Sequence, residues 1–240
     1  MSEREDIPKR LFNLINRVEP YPNDVEPVDK MLDGIAFFPG GKGLWCKEKC
    51  TIFPKILVLG QDFSTVDYFN KIKVKLKSDL DSPTWKNLLE LFKFAGINPC
   101  NCFFSNVFMG LRKSNSMIGK FPGAKDPHFY KRNVEFLKIQ IEITKPAIII
   151  VLGSIPAKMI SELSDDLKPW SENKSFSYYD KKNLSYIENA KFTDHKSICI
   201  RLLHPSFRKL NLKYRYFEGS NKCDVEVMLL KKAWSSVNCV

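Results

Sequence analysis

Ile56-Leu57-Val58-Leu59 runs straight into Gly60-Gln61-Asp62. Four consecutive aliphatics describe a strand buried on both faces, because a half-exposed strand alternates with polar residues. Such a strand needs cover above and below, which points to a layered α/β fold. Gly60 ends the run where the chain turns in little space. Asp62 then falls just past the carboxyl end of a central strand, where open α/β sheets place ligands. Two roles compete for Asp62 at this stage: a turn or helix cap, and a chemical group.

The same pattern returns three times. Cys102-Phe-Phe-Ser-Asn-Val-Phe108 reads as a second strand, with Asn106 near its carboxyl end. Pro146-Ala-Ile-Ile-Ile-Val-Leu152 is a third and ends in Gly153-Ser154; Ser197-Ile-Cys-Ile-Arg-Leu-Leu203 is a fourth, followed by His204-Pro205-Ser206. Helices alternate with these strands. One opens at Asp81-Ser82-Pro83 and buries Trp85, Leu88, Leu89 and Phe92; another opens at Asp126-Pro127 and buries Val134, Leu137 and Ile141. Shorter helices are expected over 155–163 and about 221–235, and an amphipathic first helix over 4–18.

This order predicts a three-layer α/β/α sandwich with a central four-stranded parallel sheet. It is expected to be a single domain, 1–240, with residues 1–50 as an N-terminal helical and loop extension and 51–240 as the core. Right-handed crossovers put the four strand ends on one rim. An acid, an amide, a hydroxyl and an imidazole then meet there: Asp62, Asn106, Ser154 and His204. Each has an ordinary structural role open to it; the set of four is harder to assign to structure alone.

Two stretches read differently. Lys71-Ile-Lys-Val-Lys-Leu-Lys77 alternates like a strand with one lysine face, either a charged edge or a phosphate-facing ribbon. Residues 164–196 are polar and aromatic and read as an insertion or hairpin. Phe37–Gly43 is dense in turns, but no Gly-Lys-Ser/Thr follows, so the P-loop reading fails.

The formal charge of +11 favours an anionic partner, nucleic acid before an acidic membrane surface. No apolar run approaches the ~20 residues of a membrane span, and the charged start Met1-Ser-Glu-Arg-Glu-Asp has no signal region behind it. A monomeric, intracellular, cytoplasmic protein that does not enter membranes is the expectation. Seven cysteines without a signal predict free thiols. Cys46 and Cys50, and Cys100 and Cys102, form no C-x-x-C pair; buried structural thiols are expected, with no metal and no cofactor.

Taken in order, Gly60-Gln61-Asp62, Phe103-Phe104-Ser105-Asn106-Val107, Gly153-Ser154 and His204-Pro205-Ser206 resemble the motifs of the uracil-DNA glycosylase superfamily. The resemblance spans about 55–235. It implies a DNA glycosylase that flips a uracil or related deaminated base out of DNA and hydrolyses its N-glycosidic bond, in base excision repair. By that resemblance Asp62 orients water and offsets the positive sugar, and His204 donates to the departing base. Gly60, Gln61, Phe63 and Asn106 bind the base. Ser154, Lys158, Ser206 and Arg208 hold DNA, and Phe207 or Leu210 fills the gap in the duplex. Phe63, Phe69 and Trp85 are candidates for stacking on the base. This chain has Phe63, Ser64 and Thr65 where the best-known branch has Pro, Tyr and His. The competing readings are a superfamily member that binds nucleic acid or nucleotide without catalysis, and an interaction scaffold.

Overall fold

The computed structural model describes residues 3–45, 54–75, 80–216 and 224–238. In chain order the elements are α1 (Glu3–Asn13), β1 (Val25–Glu26), β2 (Ile56–Gly60), α2 (Val66–Lys75), α3 (Pro83–Ala95), β3 (Cys102–Asn106) and β4 (Leu111–Arg112). There follow α4 (Pro127–Thr144), β5 (Ile148–Leu152), α5 (Ser154–Ile160), α6 (Phe176–Lys181), β6 (Tyr186–Lys191), β7 (Lys196–Leu202), α7 (Arg208–Asn211) and α8 (Val225–Asn238). Short 3-10 turns link several of them.

The main sheet has five strands in the order β3-β2-β5-β7-β6. β2 pairs in parallel with β3 and β5, and β5 with β7. These are the four expected parallel strands. The sheet is larger by β6, which pairs antiparallel to β7. The stretch read as an insertion or hairpin therefore contributes an edge strand, in an antiparallel hairpin with β7. Its partly exposed positions hid it from a search for apolar runs.

Helices cover both faces, which is why β2, β3 and β5 have no exposed residue. Leu57, Leu59, Phe103, Ile149, Val151 and Cys199 pack with residues of α1, α4 and α5. Ile56, Val58, Phe104, Ile150, Ile200 and Leu202 pack with α3 and α8. Local signals set the helix ends. Ser82 Oγ accepts from the Trp85 N–H, Pro83 opens α3, and Gly96 closes it at φ +73°. Asp126 Oδ1 accepts from the Phe129 N–H at 2.9 Å to start α4.

Two expectations are corrected. The lysine-alternating stretch 71–77 is, over its described residues 71–75, part of the helix α2 and not a strand. Thr65 Oγ1 accepts from the Tyr68 N–H at 3.2 Å at its start, and Phe69 and Ile72 are buried three apart. Period three thus overrides the period-two lysines; Lys77 lies outside the described residues. Residues 19–45, the loop of the N-terminal extension, pack onto the sheet. Phe38 N–H donates to Phe104 O at 3.0 Å and Phe104 N–H to Gly43 O at 2.7 Å, so this segment covers the open edge of β3. Finally, Cys100 is disulfide-bonded, against the expectation of free thiols; Cys102 and Cys199 are buried and form no disulfide. Cys46 and Cys50 lie outside the described residues. Among the described residues no helix is long and apolar enough to cross a membrane, and no three His, Cys, Asp or Glu side chains cluster as metal ligands.

Candidate active site

A cleft of about 660 Å³ opens at the carboxyl ends of β2, β3, β5 and β7. Asp62, Asn106, Ser154 and His204 all line it. So do Gly60, Gln61, Phe63, Ser206 and Phe207. Each strand of the parallel set delivers one polar group to one rim, as the topology requires.

The Asp62 turn is held by main chain. Gly60 O accepts from the Val107 N–H and Gln61 O from the Phe108 N–H, both at 3.0 Å, and Ser64 O from the Arg112 N–H at 2.9 Å. The carboxylate is not free. Arg112 Nε donates to Oδ1 at 2.9 Å and Nη2 to Oδ2 at 2.7 Å, a bidentate pair with side chains 3% and 6% exposed for Arg and Asp. Gln61 Nε2 adds a bond to Oδ2 at 2.8 Å. A carboxylate has about four lone-pair sites. Three are used, which leaves one acceptor site on Oδ1 of this cleft-lining carboxylate.

Asn106 is fixed at both ends. Its Nδ2 donates to Phe38 O at 3.0 Å, and its main-chain O accepts from Gln140 Nε2 at 3.2 Å. Oδ1 has no donor among the described residues and lies 2.6 Å from where a Cβ on Gly60 would stand. Gly60 is therefore required by the close approach of this amide, not by its φ. The amide presents an acceptor and one remaining N–H to a ligand.

His204 caps its own turn: Nδ1 accepts from the Ser206 N–H at 3.3 Å. The proton of the neutral ring then sits on Nε2, which is the donor available to a ligand. Burial lowers its pKa, outweighing the pull of Asp62 the other way. Asn87 Nδ2 donates to Pro205 O at 2.9 Å, and Thr84 Oγ1 meets Ser206 Oγ at 2.9 Å, tying this turn to α3.

The other predicted DNA contacts divide. Ser154 and Ser206 are exposed in the cleft, and Lys158 is exposed on α5. Arg201, buried behind, donates through Nη2 to Ser154 Oγ at 3.2 Å, so the Ser154 hydroxyl hydrogen is left to donate outward. Leu210 is exposed but does not line the cleft. Arg208 does not face it at all. It is buried, with Nε on Glu226 Oε2 at 2.8 Å and Nη2 on Asp224. Its phosphate-binding role is withdrawn, because it is buried and its charge is paired with two carboxylates inside.

Of the stacking candidates, Phe63 and Trp85 line the cleft and Phe69 does not. Sequence reading missed Phe37, which lines it with its ring 5.0 Å from Trp85. The adjacent Phe37-Phe38 pair in a turn-rich segment was the available signal. Arg112 and Gln140 were also missed, since a basic residue after a strand and a Gln in an apolar helix face look ordinary in isolation. Ser64 Oγ and Trp85 Nε1, both on cleft-lining residues, are buried with no hydrogen-bond partner among the described residues.

Neither the known protein-family models nor the curated proteins give a match to this chain, so the cleft is interpreted from its own residues.

Proposed function

We propose that this protein is a monofunctional DNA glycosylase that hydrolyses the bond between deoxyribose and uracil or a related deaminated base. One observation carries the reading: Asp62, Asn106, Ser154 and His204, from four strand ends, line a single cleft. Water attacks C1′, the N-glycosidic bond breaks, and its electron pair leaves with the base, giving an abasic site. Asn106 offers an acceptor and a donor to the base edge. His204 donates from Nε2 to a base carbonyl as negative charge grows there. Asp62 accepts from the attacking water through the remaining acceptor site on Oδ1 and stabilises positive charge at the sugar. Ser154, Lys158 and Ser206 are the phosphate contacts, and Phe37, Phe63 and Trp85 supply aromatic walls.

A second reading has support from the Asp62–Arg112 pair. A carboxylate already balanced by a guanidinium suits a site that binds nucleic acid or a nucleotide without catalysis. Purified protein incubated with single- and double-stranded DNA carrying uracil, hypoxanthine or xanthine separates the two. The glycosylase reading expects alkali-labile abasic sites, reduced at least about 100-fold in Asp62→Asn and in His204→Ala. Binding without abasic sites on any of these substrates supports the second reading.

A further inference from the structure

We infer that the loop Lys113–Lys120 is a second DNA-inserting element, with Met117 and Ile118 entering the base stack beside the nucleotide drawn into the cleft. The inference rests on the reading of the cleft as a base-flipping site. Among the described residues, large apolar side chains are exposed at eight positions, and three of them, Met117, Ile118 and Phe207, line this cleft. Ile118 is 68% exposed and Met117 53%, and both line the cleft; Phe207 is 47% exposed at the lip beyond His204, with Leu210 at 71% one helical turn on. Isolated exposed apolar residues need no explanation, but such a pairing around one cleft does.

The loop is held in place. Arg112 spends all five of its N–H groups: beyond Asp62 they reach the carbonyls of Ile118 at 3.0 Å, Gly119 at 2.8 Å and Lys120 at 3.4 Å. Gln61 Nε2 also donates to Gly119 O at 3.0 Å. The two apolar tips are thus presented on a polar footing rather than folded under. Arg112 is neutralised by Asp62 and Lys113 by Glu26 at 3.3 Å, but Lys120 and Lys125 are exposed with no salt-bridge partner among the described residues and residues 111–125 hold no acid, so the surface around the tips favours a polyanion. This loop follows β3 and β4 and is tied to the β2 end through Gln61, Asp62 and Arg112, while Phe207 follows β7, with β5 between the β2 and β7 ends. Two strand spacings, about 10 Å, separate such positions, enough to straddle a flipped nucleotide and its neighbours. The occupant is therefore duplex DNA, opened from both lips.

The test uses the double variant Met117→Ser/Ile118→Ser. Affinity is measured by fluorescence anisotropy on a duplex with one abasic-site analogue, over a series of salt concentrations. A 2-aminopurine beside the lesion reports unstacking. The expected result is binding weakened about tenfold or more, an unchanged salt slope because no charge is removed, and less 2-aminopurine fluorescence. Met117→Leu/Ile118→Leu should bind within about twofold of wild type. Unchanged binding of the serine variant overturns the inference, as does failure of the wild type to bind the duplex. Loss of self-association with unchanged DNA binding would assign the patch to a second copy of the chain and also overturns it. A wild type that excises no base yet shows the expected binding pattern sinks the glycosylase reading and leaves the insertion standing. Intact excision with unchanged variant binding does the reverse.

Discussion

At the scale of single residues, the rim groups differ in how tightly they are committed. Asp62 and Asn106 are fixed by hydrogen-bonded neighbours: Arg112 and Gln61 for one, Phe38 and Gln140 for the other. His204 is held by a hydrogen bond that only its neutral ring can accept. This gives a pH dependence with a definite sign. Its folded pKa is lowered below the ordinary 6.5, mainly by burial. Between the folded value and 6.5 the unfolded chain binds more protons at this group, so stability rises with pH in that window, is lost as pH falls through it, and levels off below the folded value. Urea unfolding at pH about 5 and about 7 should show a smaller stability loss on acidification in His204→Asn than in wild type. An equal loss in both proteins would remove His204 as the cause.

At the scale of elements, α6, α8 and the segment after β7 are tied by a buried ionic network. Arg215 donates to Asp180 at 2.8 and 3.0 Å and to Glu226 at 2.8 Å. Glu226 Oε1 also accepts the Leu203 N–H at 2.6 Å, directly before His204. Residues 164–196 therefore do more than extend the sheet: through Asp180 they brace the His204 turn. Glu226→Ala would leave Arg208 and Arg215 short of a partner and free the Leu203 N–H. A loss of about 3–5 kcal/mol in urea unfolding is expected, because stranding a buried charge costs far more than an intact pair contributes. A loss below about 1 kcal/mol would mean that water replaces the carboxylate.

At the scale of the whole molecule, a charge of +11 does not by itself place a ligand. Much of it is spent internally, as Arg112, Arg208 and Arg215 show. Lys120, Lys158 and Lys213 are exposed, with no acidic partner among the described residues. If these three neutralise phosphates, the slope of log K against log salt should be about −2.7, or some 40-fold weaker binding for a fourfold rise in salt. Lys158→Ala should flatten the slope by about 0.9. A slope near zero would exclude a phosphate-driven interaction.

The parallel strands, their order along the chain and the polar group closing each were legible in the sequence. They depend on local quantities: unbroken apolar runs, a Gly or polar residue after each, and capped helices between. Sequence also sufficed to gather Asp62, Asn106, Ser154 and His204, because right-handed crossovers leave parallel strand ends only one rim. What it could not give depends on long-range contact. Lys71–Lys75 looked like a strand until Phe69 and Ile72 found Val28, Leu32 and Leu111 to pack against. Arg208 looked like a phosphate ligand until Glu226, 18 residues on, took its donors. Arg112 carried no signal 50 residues from the carboxylate it binds. Residue spacing fixes where a strand ends; which charges meet there, and whether they face solvent or each other, is decided by packing between segments distant in the chain.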